Sequence, residues 1–257
     1  MKNLLRQRLR EGRATTGLWV TLESPTITEI AAELGLDWVC VDMEHGHLGY
    51  REVLEHLRAA QRTDTTVLVR IPDIAQHLVK RVLDMGAAGI IVPMVRSRGD
   101  VDLGLRWARY PPRGARGFGG ERAVRWGLGA RAYVETADDE VMVIPLIETA
   151  EAVAAIDDIL AAPGLDAIFF GPADLSASTG ALGAWEGPGV AETILDIKRR
   201  AAERGIASGV LARDSADRRR RQAQGFGMVG LGSDTGLLIA ALRQALAPTV
   251  SQESSAE

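Results

Sequence analysis

Short, nearly continuous hydrophobic runs alternate with longer amphipathic segments along most of this chain. An apolar run is typical of a strand covered on both faces, whereas apolar positions every three or four residues indicate a helix. The runs, in chain order, are GLWVTL, WVCVDME, TVLVRI, GIIVPMV, VMVIPLIE, AIFFGPAD, ASGVLA and MVGLGS. Alternation of strands with helices favours a parallel sheet, and about eight strands are what a (β/α)₈ TIM barrel requires.

Several residues mark where the predicted helices begin and end. Ser24 and Pro25 predict the start of the helix after the first strand, and Gly35 predicts its end. The helix after the fourth strand should end before Pro111 and Pro112, because proline cannot continue it. The Gly- and Arg-rich segment from there to about residue 139 is expected to be irregular. After the fifth strand AEAVAAIDDIL predicts one helix, and after the sixth LSASTGALGAWEGPG predicts a polar, glycine-rich excursion. Long irregular segments inside compact domains are often functional or interfacial.

Length and composition fit a single α/β domain. The chain has 257 residues, of which 46% are hydrophobic and 25% charged, and barrels of this length occur as one domain. We predict a barrel over residues 1–247 and a polar, disordered tail over residues 248–257. The net charge of −4 argues against binding nucleic acid or anionic membranes. With no apolar run of signal-peptide or membrane-span type, the expected location is the cytoplasm.

Three other features favour structural interpretations. Cys40 is the only cysteine, which excludes an intrachain disulfide, and its apolar setting predicts a buried thiol. The basic run at residues 218–221 predicts a solvated helix face. Gly225, Gly227, Gly230 and Gly232 bracket the last strand, where barrels often bind phosphate, but tight turns need glycine equally and are favoured here.

Two acidic residues follow neighbouring predicted strands. Glu148 ends VMVIPLIE, and Asp174 follows AIFFG, with Gly171 and Pro172 bending the chain before it. Each acid alone could simply cap the helix that follows. Parallel strands, however, end at one edge, and Mg²⁺ or Mn²⁺ binds one or two carboxylates, leaving other positions to water and substrate oxygens. Together the two acids favour a metal site.

More side chains lie at or near predicted strand ends, where (β/α)₈ barrels carry their active sites: Trp19, Glu44, His45 and Arg70. His45 suits proton transfer near neutral pH, unless it is only a surface histidine. Arg70 suits a carboxylate or a developing enolate oxygen, and its alternative is a salt bridge to an acid such as Asp73. Trp19 either walls a ligand pocket or fills the barrel.

At this point the motifs VDMEHG, VRIP, RYPPRGARG, LIET and GPADLS resemble, as an ordered set, the HpcH/HpaI aldolase family and its class II pyruvate aldolases. The resemblance covers nearly the whole chain. It implies reversible aldol cleavage of a 4-hydroxy-2-oxo acid to an aldehyde and pyruvate, or an analogue such as hydroxypyruvate, through a metal-bound enolate. The implied cofactor is Mg²⁺, Mn²⁺ or Co²⁺, and the implied partners are the small keto acid and the aldehyde.

The resemblance also implies a role for each matching residue. Glu148 and Asp174 match the family's metal ligands, and His45 matches its proton acceptor. Arg70 matches the residue that stabilises the transition state. Asp84 matches the acid that raises the basicity of that histidine.

Substrate contacts follow in the same way. Ala173 and Asp174 match substrate-contacting positions, and Trp19 is a further candidate. Leu146 stands where the family often has a substrate-contacting glutamine, so an amide donor is replaced by an apolar side chain. DMEHG also replaces a DGEHA-like form, which leaves the preferred aldehyde open.

The position of Asp84 in the chain indicates that the protein forms a homo-oligomer. Asp84 lies near the end of the helix that follows the Arg70 strand, and such helices run away from the catalytic rim. To reach His45, Asp84 must therefore come from a neighbouring subunit, and we predict a homo-oligomer, a trimer or hexamer. Residues 111–139 would close over a neighbour's site in the same way. The alternative is that Asp84 only interacts with its own helix end or with a nearby arginine such as Arg81.

Two other functions stay open from the sequence. One is a lyase acting on coenzyme A thioesters, as in the citrate lyase branch of the superfamily. The other is a barrel that binds a keto acid without turnover.

Overall fold

Eight parallel strands, each hydrogen-bonded to the next, close into a barrel in which β1 also pairs with β8. The computed structural model describes residues 2–178, 180–184, 186–187 and 189–247. The strands are β1 Thr15–Val20, β2 Trp38–Asp42, β3 Thr66–Arg70, β4 Gly89–Val92, β5 Met142–Ile147, β6 Ala167–Phe170, β7 Ala207–Leu211 and β8 Met228–Ser233. The predicted single-domain (β/α)₈ TIM barrel is confirmed, while the predicted tail lies outside the described residues.

Helices alternate with these strands and cover the outside of the barrel. They are α1 Leu4–Arg10, α2 Pro25–Glu33, α3 Tyr50–Ala59, α4 Gln76–Asp84, α5 Arg98–Ala108, α6 Ala130–Glu140, α7 Ala150–Ala154, α8 Ile156–Leu160, α9 Pro172–Ser178, α10 Val190–Glu203, α11 Ser215–Ala223 and α12 Asp234–Leu246, with a 3₁₀ turn at Arg122–Val124. None of the described helices is long and apolar enough to cross a membrane.

Large side chains fill the barrel interior, so it is a packed core with no channel. Trp38 and Phe169 lie there edge to face, 6.0 Å apart between ring centroids. Gly17 and Gly209 make room for them, since a Cβ at either position would lie 2.1 Å from the Trp38 ring or 2.2 Å from the Phe169 ring. Leu5 of α1 joins the same interior cluster from the N-terminal ends of the strands. α1 therefore closes the barrel interior at the N-terminal ends of the strands.

The sequence prediction was wrong in three segments. Residues 130–140, expected to be irregular, form α6, whose Tyr133 and Ala137 are buried one turn apart. The single helix expected after β5 divides into α7 and α8 at Ala155. The excursion expected after β6 begins with a helix, α9, because Pro172 is well suited to a first helical turn. Arg- and Gly-rich neighbours concealed the periodicity of α6.

Two structural interpretations had different outcomes. Cys40 is buried, as predicted. The prediction of a solvated basic face was wrong for Arg221, whose side chain is 2% exposed and pairs with Glu186 and Asp217. Arg219 and Arg220 are exposed. One residue of the run points inward because α11, like any barrel helix, buries one side.

α12 packs unlike the other barrel helices. Among its residues only Asp234 is buried, while five large apolar side chains stay exposed: Leu237, Leu238, Ile239, Leu242 and Leu246. Leu237 and Leu238 line an apolar groove of about 490 Å³ together with Ile30 and Leu34 of α2. An exposed apolar surface of this kind is typical of an interaction site.

Candidate active site

The ends of β2 and β3 hold an arginine and an aspartate side by side. Asp42 and Arg70 are partners in the strand register, so both side chains point into the barrel mouth. Nε of Arg70 donates to Oδ1 of Asp42 at 2.8 Å, and Nη2 donates to Oδ2. Nε1 of Trp19 also donates to Oδ2, at 3.1 Å, and the guanidinium lies 5.1 Å from the Trp19 ring centroid. Arg70 is therefore held in one orientation by a bidentate pair and an aromatic face.

Asp42 also organises the loop after β2. Its Oδ1 accepts hydrogen bonds from the backbone N–H groups of Glu44 and His45, at 3.0 and 3.3 Å. Oε2 of Glu44 lies 2.8 Å from Nη1 of Arg70, without hydrogen-bond geometry. The His45 side chain is exposed at the mouth. The alternative of a salt bridge for Arg70 is therefore found, but its partners are Asp42 and Glu44 and not Asp73, the example that the sequence suggested.

Glu148 directly follows β5 and is 3% exposed. Its Oε1 accepts a hydrogen bond of 2.7 Å from the backbone N–H of Met94, a residue with φ of 50°. The alternative that Glu148 caps the next helix is wrong, because the Thr149 side chain caps α7. A Cβ at Gly171 would come within 2.5 Å of Oε2, so the missing side chain at Gly171 leaves room beside this oxygen.

Asp174 and Ala173 lie in the first turn of α9 and are exposed. β6 ends at Phe170, so Asp174 is one helical turn past the strand end where the sequence had placed it. The charges of Glu44 and Asp174 both act on Glu148. The two predicted metal ligands therefore lie at the same end of the barrel, close enough to interact.

Burial and charge shift the carboxyl groups in opposite directions. Burial raises the pKa of Glu148 to about 7; the Met94 hydrogen bond opposes this shift, and the charges of Glu44 and Asp174 add to it. Burial also raises the pKa of Glu44, opposed by Arg70 and His45. For Asp42, burial is outweighed by Arg70, so its pKa is lowered. Arg70 therefore neutralises Asp42 more fully than the other carboxylates. Glu44, Glu148 and Asp174 leave excess negative charge at the barrel mouth.

That donor set fits a divalent ion. No three His, Cys, Asp or Glu side chains converge as a complete cage in the described part of the chain. Mg²⁺ sites, however, are often built from one or two carboxylates, with water and substrate oxygens completing the shell. Glu148 and Asp174 supply two such groups, and a cation between them would offset both the burial that mainly raises the pKa of Glu148 and the repulsion that adds to it.

Of the other predicted residues, two are buried in the barrel interior and one lies at the opposite end of the barrel. Trp19 and Leu146 are buried in the interior cluster, so Trp19 fills the barrel and at the same time positions Asp42. Asp84 is the last residue of α4, at the opposite end of the barrel. Its Oδ1 accepts a bond of 2.8 Å from Nη2 of Arg116, whose side chain is fully buried. The alternative partner Arg81 is wrong; its guanidinium lies over the ring of Tyr50.

Asp42 is the residue that sequence reasoning missed. It lies in the run WVCVDME, at the spacing of two that puts Trp38, Cys40 and Asp42 on one face of β2. A charged residue on the inward face of a barrel strand must pair or bind something. That signal was present in the sequence.

Comparison with known proteins gives consistent relatives. A family model described as HpcH/HpaI aldolase/citrate lyase matches residues 15–241. A 4-hydroxy-2-oxovalerate aldolase of Novosphingobium aromaticivorans is 41% identical, over 82% of this chain and 81% of the relative. A hydroxypyruvate/pyruvate aldolase of Pseudomonas aeruginosa is 38% identical, over 94% and 91%. The crystal structure of a family protein from Burkholderia cenocepacia J2315 superposes with a TM-score of 0.90 at 37% identity, over 95% and 98%.

Proposed function

Because this chain belongs to the HpcH/HpaI aldolase/citrate lyase family, we propose that it is a divalent-metal-dependent aldolase. The reaction is reversible cleavage of a 4-hydroxy-2-oxo acid to an aldehyde and pyruvate, or a close analogue such as hydroxypyruvate. The relatives described above are named as a 4-hydroxy-2-oxovalerate aldolase and a hydroxypyruvate/pyruvate aldolase. The observation that carries the proposal is the convergence of Glu148, Asp174 and the Asp42–Arg70 pair at one mouth of the barrel.

Glu148 and Asp174 would hold the metal. When bound, a divalent ion supplies Lewis-acid chemistry that polarises the keto carbonyl. Arg70 adds a fixed positive charge at the same mouth. Its Nε, one Nη2 donor and Nη1 face Asp42 and Glu44, and a guanidinium has five N–H groups. Two donors are left for a substrate oxygen, where they stabilise the negative charge that develops during cleavage.

His45 is the proposed proton acceptor. Its backbone is fixed by Asp42, while its exposed side chain can reach the substrate's 4-hydroxyl directly or through one water. Removal of that proton forms the aldehyde carbonyl and breaks the C3–C4 bond. The electron pair moves towards the keto oxygen, and a proton then returns to C3 to complete the pyruvate methyl group.

Removal and restoration of metal tests this proposal. Protein treated with a chelator is expected to release no pyruvate from 4-hydroxy-2-oxovalerate, and addition of Mg²⁺, Mn²⁺ or Co²⁺ in turn should restore release. The pyruvate is measured with a coupled lactate dehydrogenase assay in Zn²⁺-free buffer. Full activity of the chelated protein would contradict the metal-dependent mechanism.

We further propose that the active unit is a homo-oligomer, a trimer or hexamer. The apolar side chains of α12 and the groove beside α2 support it, since a second copy of the same chain would cover both. Asp84 supports it too: it lies at the end of the barrel away from His45 of its own chain. A neighbour's Asp84 is the group that would act on His45.

Mixing two inactive variants tests the shared site. His45→Ala and Asp84→Asn chains, co-assembled in equal amounts, are expected to regain activity, because about one quarter of random interfaces combine an intact His45 with an intact Asp84. Asparagine is chosen so that Arg116 keeps a hydrogen-bond acceptor. His45→Ala mixed with Arg70→Lys is the control, and should regain nothing because both residues belong to one chain's half of the site. A fully active monomer would refute the shared site.

A further inference from the structure

Two hydrogen bonds, made in opposite directions, join the loop after β4 to the end of β5. The backbone N–H of Met94 donates to Oε1 of Glu148 at 2.7 Å. The Thr149 hydroxyl donates to the backbone carbonyl oxygen of Val95 at 2.9 Å. Glu148, Thr149 and Val95 are all buried. Because water scarcely competes for such buried bonds, together they fix the loop relative to β5.

The Thr149 hydroxyl has a second partner. Its oxygen accepts a hydrogen bond of 3.0 Å from the backbone N–H of Ala152, as the cap of α7. A cap needs only an acceptor, which asparagine or aspartate would also supply. The donor bond to Val95 is an additional contact that ties the start of α7 to the loop after β4. Since Glu148 directly precedes Thr149, this contact restrains both partners of the bond between Met94 and Glu148.

Met94 is held in an uncommon backbone conformation. Its φ is 50°, a left-handed conformation that residues other than glycine adopt at a cost and keep only where their surroundings impose it. β4 ends two residues earlier. Two and three residues later, the N–H groups of Arg96 and Ser97 both donate to the Asp100 carboxylate, at 2.9 Å. With the bond from Thr149, these contacts impose the turn that directs the Met94 N–H towards β5.

The same contacts decide which oxygen of Glu148 is left for a cation. Oε1 is engaged by the Met94 N–H. Oε2 lies beside Gly171, where a Cβ would come within 2.5 Å of it. Gly171 is the residue between β6 and α9, the helix that carries Asp174. Oε2 is therefore on the side of the second proposed metal ligand.

We propose that Thr149 and the backbone of Met94 are positioning groups for the metal site: they hold Glu148 with Oε1 engaged and Oε2 towards Asp174, and so set the affinity for the cation. The inference rests on the metal dependence proposed above. Partners that orient a metal ligand in this way commonly contribute about 10–100-fold in metal affinity. Neither group contacts the substrate or the metal itself.

Binding of Mn²⁺ to the full chain, measured from the electron paramagnetic resonance signal of the free ion, tests the proposal without turnover. Thr149→Val removes the hydroxyl but keeps the shape, and its Kd for Mn²⁺ should rise by about tenfold or more. Thr149→Ser keeps a hydroxyl and should recover most of the native affinity. A serine variant as weak as the valine variant would assign Thr149 to packing and overturn the proposal.

Thr15→Val is the matched control. The buried Thr15 hydroxyl also donates to a backbone carbonyl, that of Gly227, at 2.8 Å. Thr15 is the first residue of β1, at the opposite end of the barrel. Its substitution removes the same kind of bond and should leave the Kd for Mn²⁺ within about twofold of the native value. A loss equal to that of Thr149→Val would overturn the specific role of Thr149.

Two substitutions of Met94 test the backbone conformation separately, and they decide the question if Thr149→Val does not fold. Valine is strongly disfavoured at positive φ, whereas glycine adopts it freely. Met94→Val should therefore bind Mn²⁺ about tenfold more weakly than Met94→Gly. Equal Kd values for these two variants, or native affinity in Thr149→Val, overturn the proposal.

Glu148→Gln separates failure of this proposal from failure of the proposed function. If Glu148→Gln loses Mn²⁺ binding while Thr149→Val binds as the native chain does, the positioning role is wrong and the metal site stands. If the native chain itself binds no Mn²⁺ at millimolar concentration, the metal-dependent function is contradicted, and the positioning role with it.

Discussion

Replacement of Glu148 by glutamine is expected to abolish metal-dependent cleavage while the barrel stays folded. The change removes an anionic ligand but keeps a carbonyl oxygen that can accept the Met94 hydrogen bond. Metal catalysis supplies several kcal/mol, so a loss of about 10³-fold or more in kcat/KM is expected. Asp174→Asn should act in the same direction. Glu151→Gln, an exposed carboxylate on α7, is the control and should retain activity.

The same substitution is expected to stabilise the metal-free protein at alkaline pH. Burial raises the pKa of Glu148 to about 7, whereas a glutamate in the unfolded chain titrates near 4.3. Between these values the folded state keeps a proton that the unfolded state has lost. Native stability therefore falls as the pH rises towards 7, a loss that glutamine avoids.

Urea unfolding measures this effect. At pH 8, Glu148→Gln should exceed the native chain in free energy of unfolding by at most about 4 kcal/mol. At pH 4 the two proteins should differ little, because Glu148 is protonated in both states. If the variant is less stable than the native chain at pH 8, ionisation of the buried Glu148 carboxyl does not destabilise the folded state.

Arg70→Lys is expected to lose nearly as much activity, although the charge is kept. A lysine ammonium cannot bind both oxygens of Asp42 and also reach Glu44 as the guanidinium does. Loss of such stabilisation at a developing oxyanion is commonly about 3–4 kcal/mol, or about 10²–10³-fold in kcat. Arg98→Lys is the control, because Arg98 forms an exposed pair with Asp102. A rate within about twofold of the native value would make Arg70 a structural residue.

The barrel was predictable from the sequence because each of its strands is buried on both faces. β2, β3 and β5 are apolar at almost every position, so they are distinct from the amphipathic helices between them. These apolar runs also showed where the strands end, and so they placed Arg70 and Glu148 at the C-terminal ends of their strands. α12 shows the limit of this approach, since its apolar residues predict a helix but not that a groove beside it stays open.

Side-chain partners were the least predictable part. The Asp42–Arg70 pair depends on the register between β2 and β3, which hydrophobic periodicity does not determine. Arg81, one turn earlier in the helix, was the alternative partner considered for Asp84, but its partner within the chain, Arg116, comes from a segment 32 residues away. Local spacing favours close neighbours, whereas burial of Arg116 favoured any acid that the fold could bring to it.

Exchange of the pyruvate methyl protons with deuterium tests the central claim most directly, because it reports proton removal at C3 without any acceptor aldehyde. Proton NMR in D₂O should show loss of the methyl signal with the native chain and Mn²⁺ or Mg²⁺ at catalytic amounts. The chelated native chain and Glu148→Gln should leave the signal unchanged. If the metal-loaded native chain binds pyruvate but exchanges no methyl protons, the barrel binds the keto acid without turnover and the aldolase assignment is wrong.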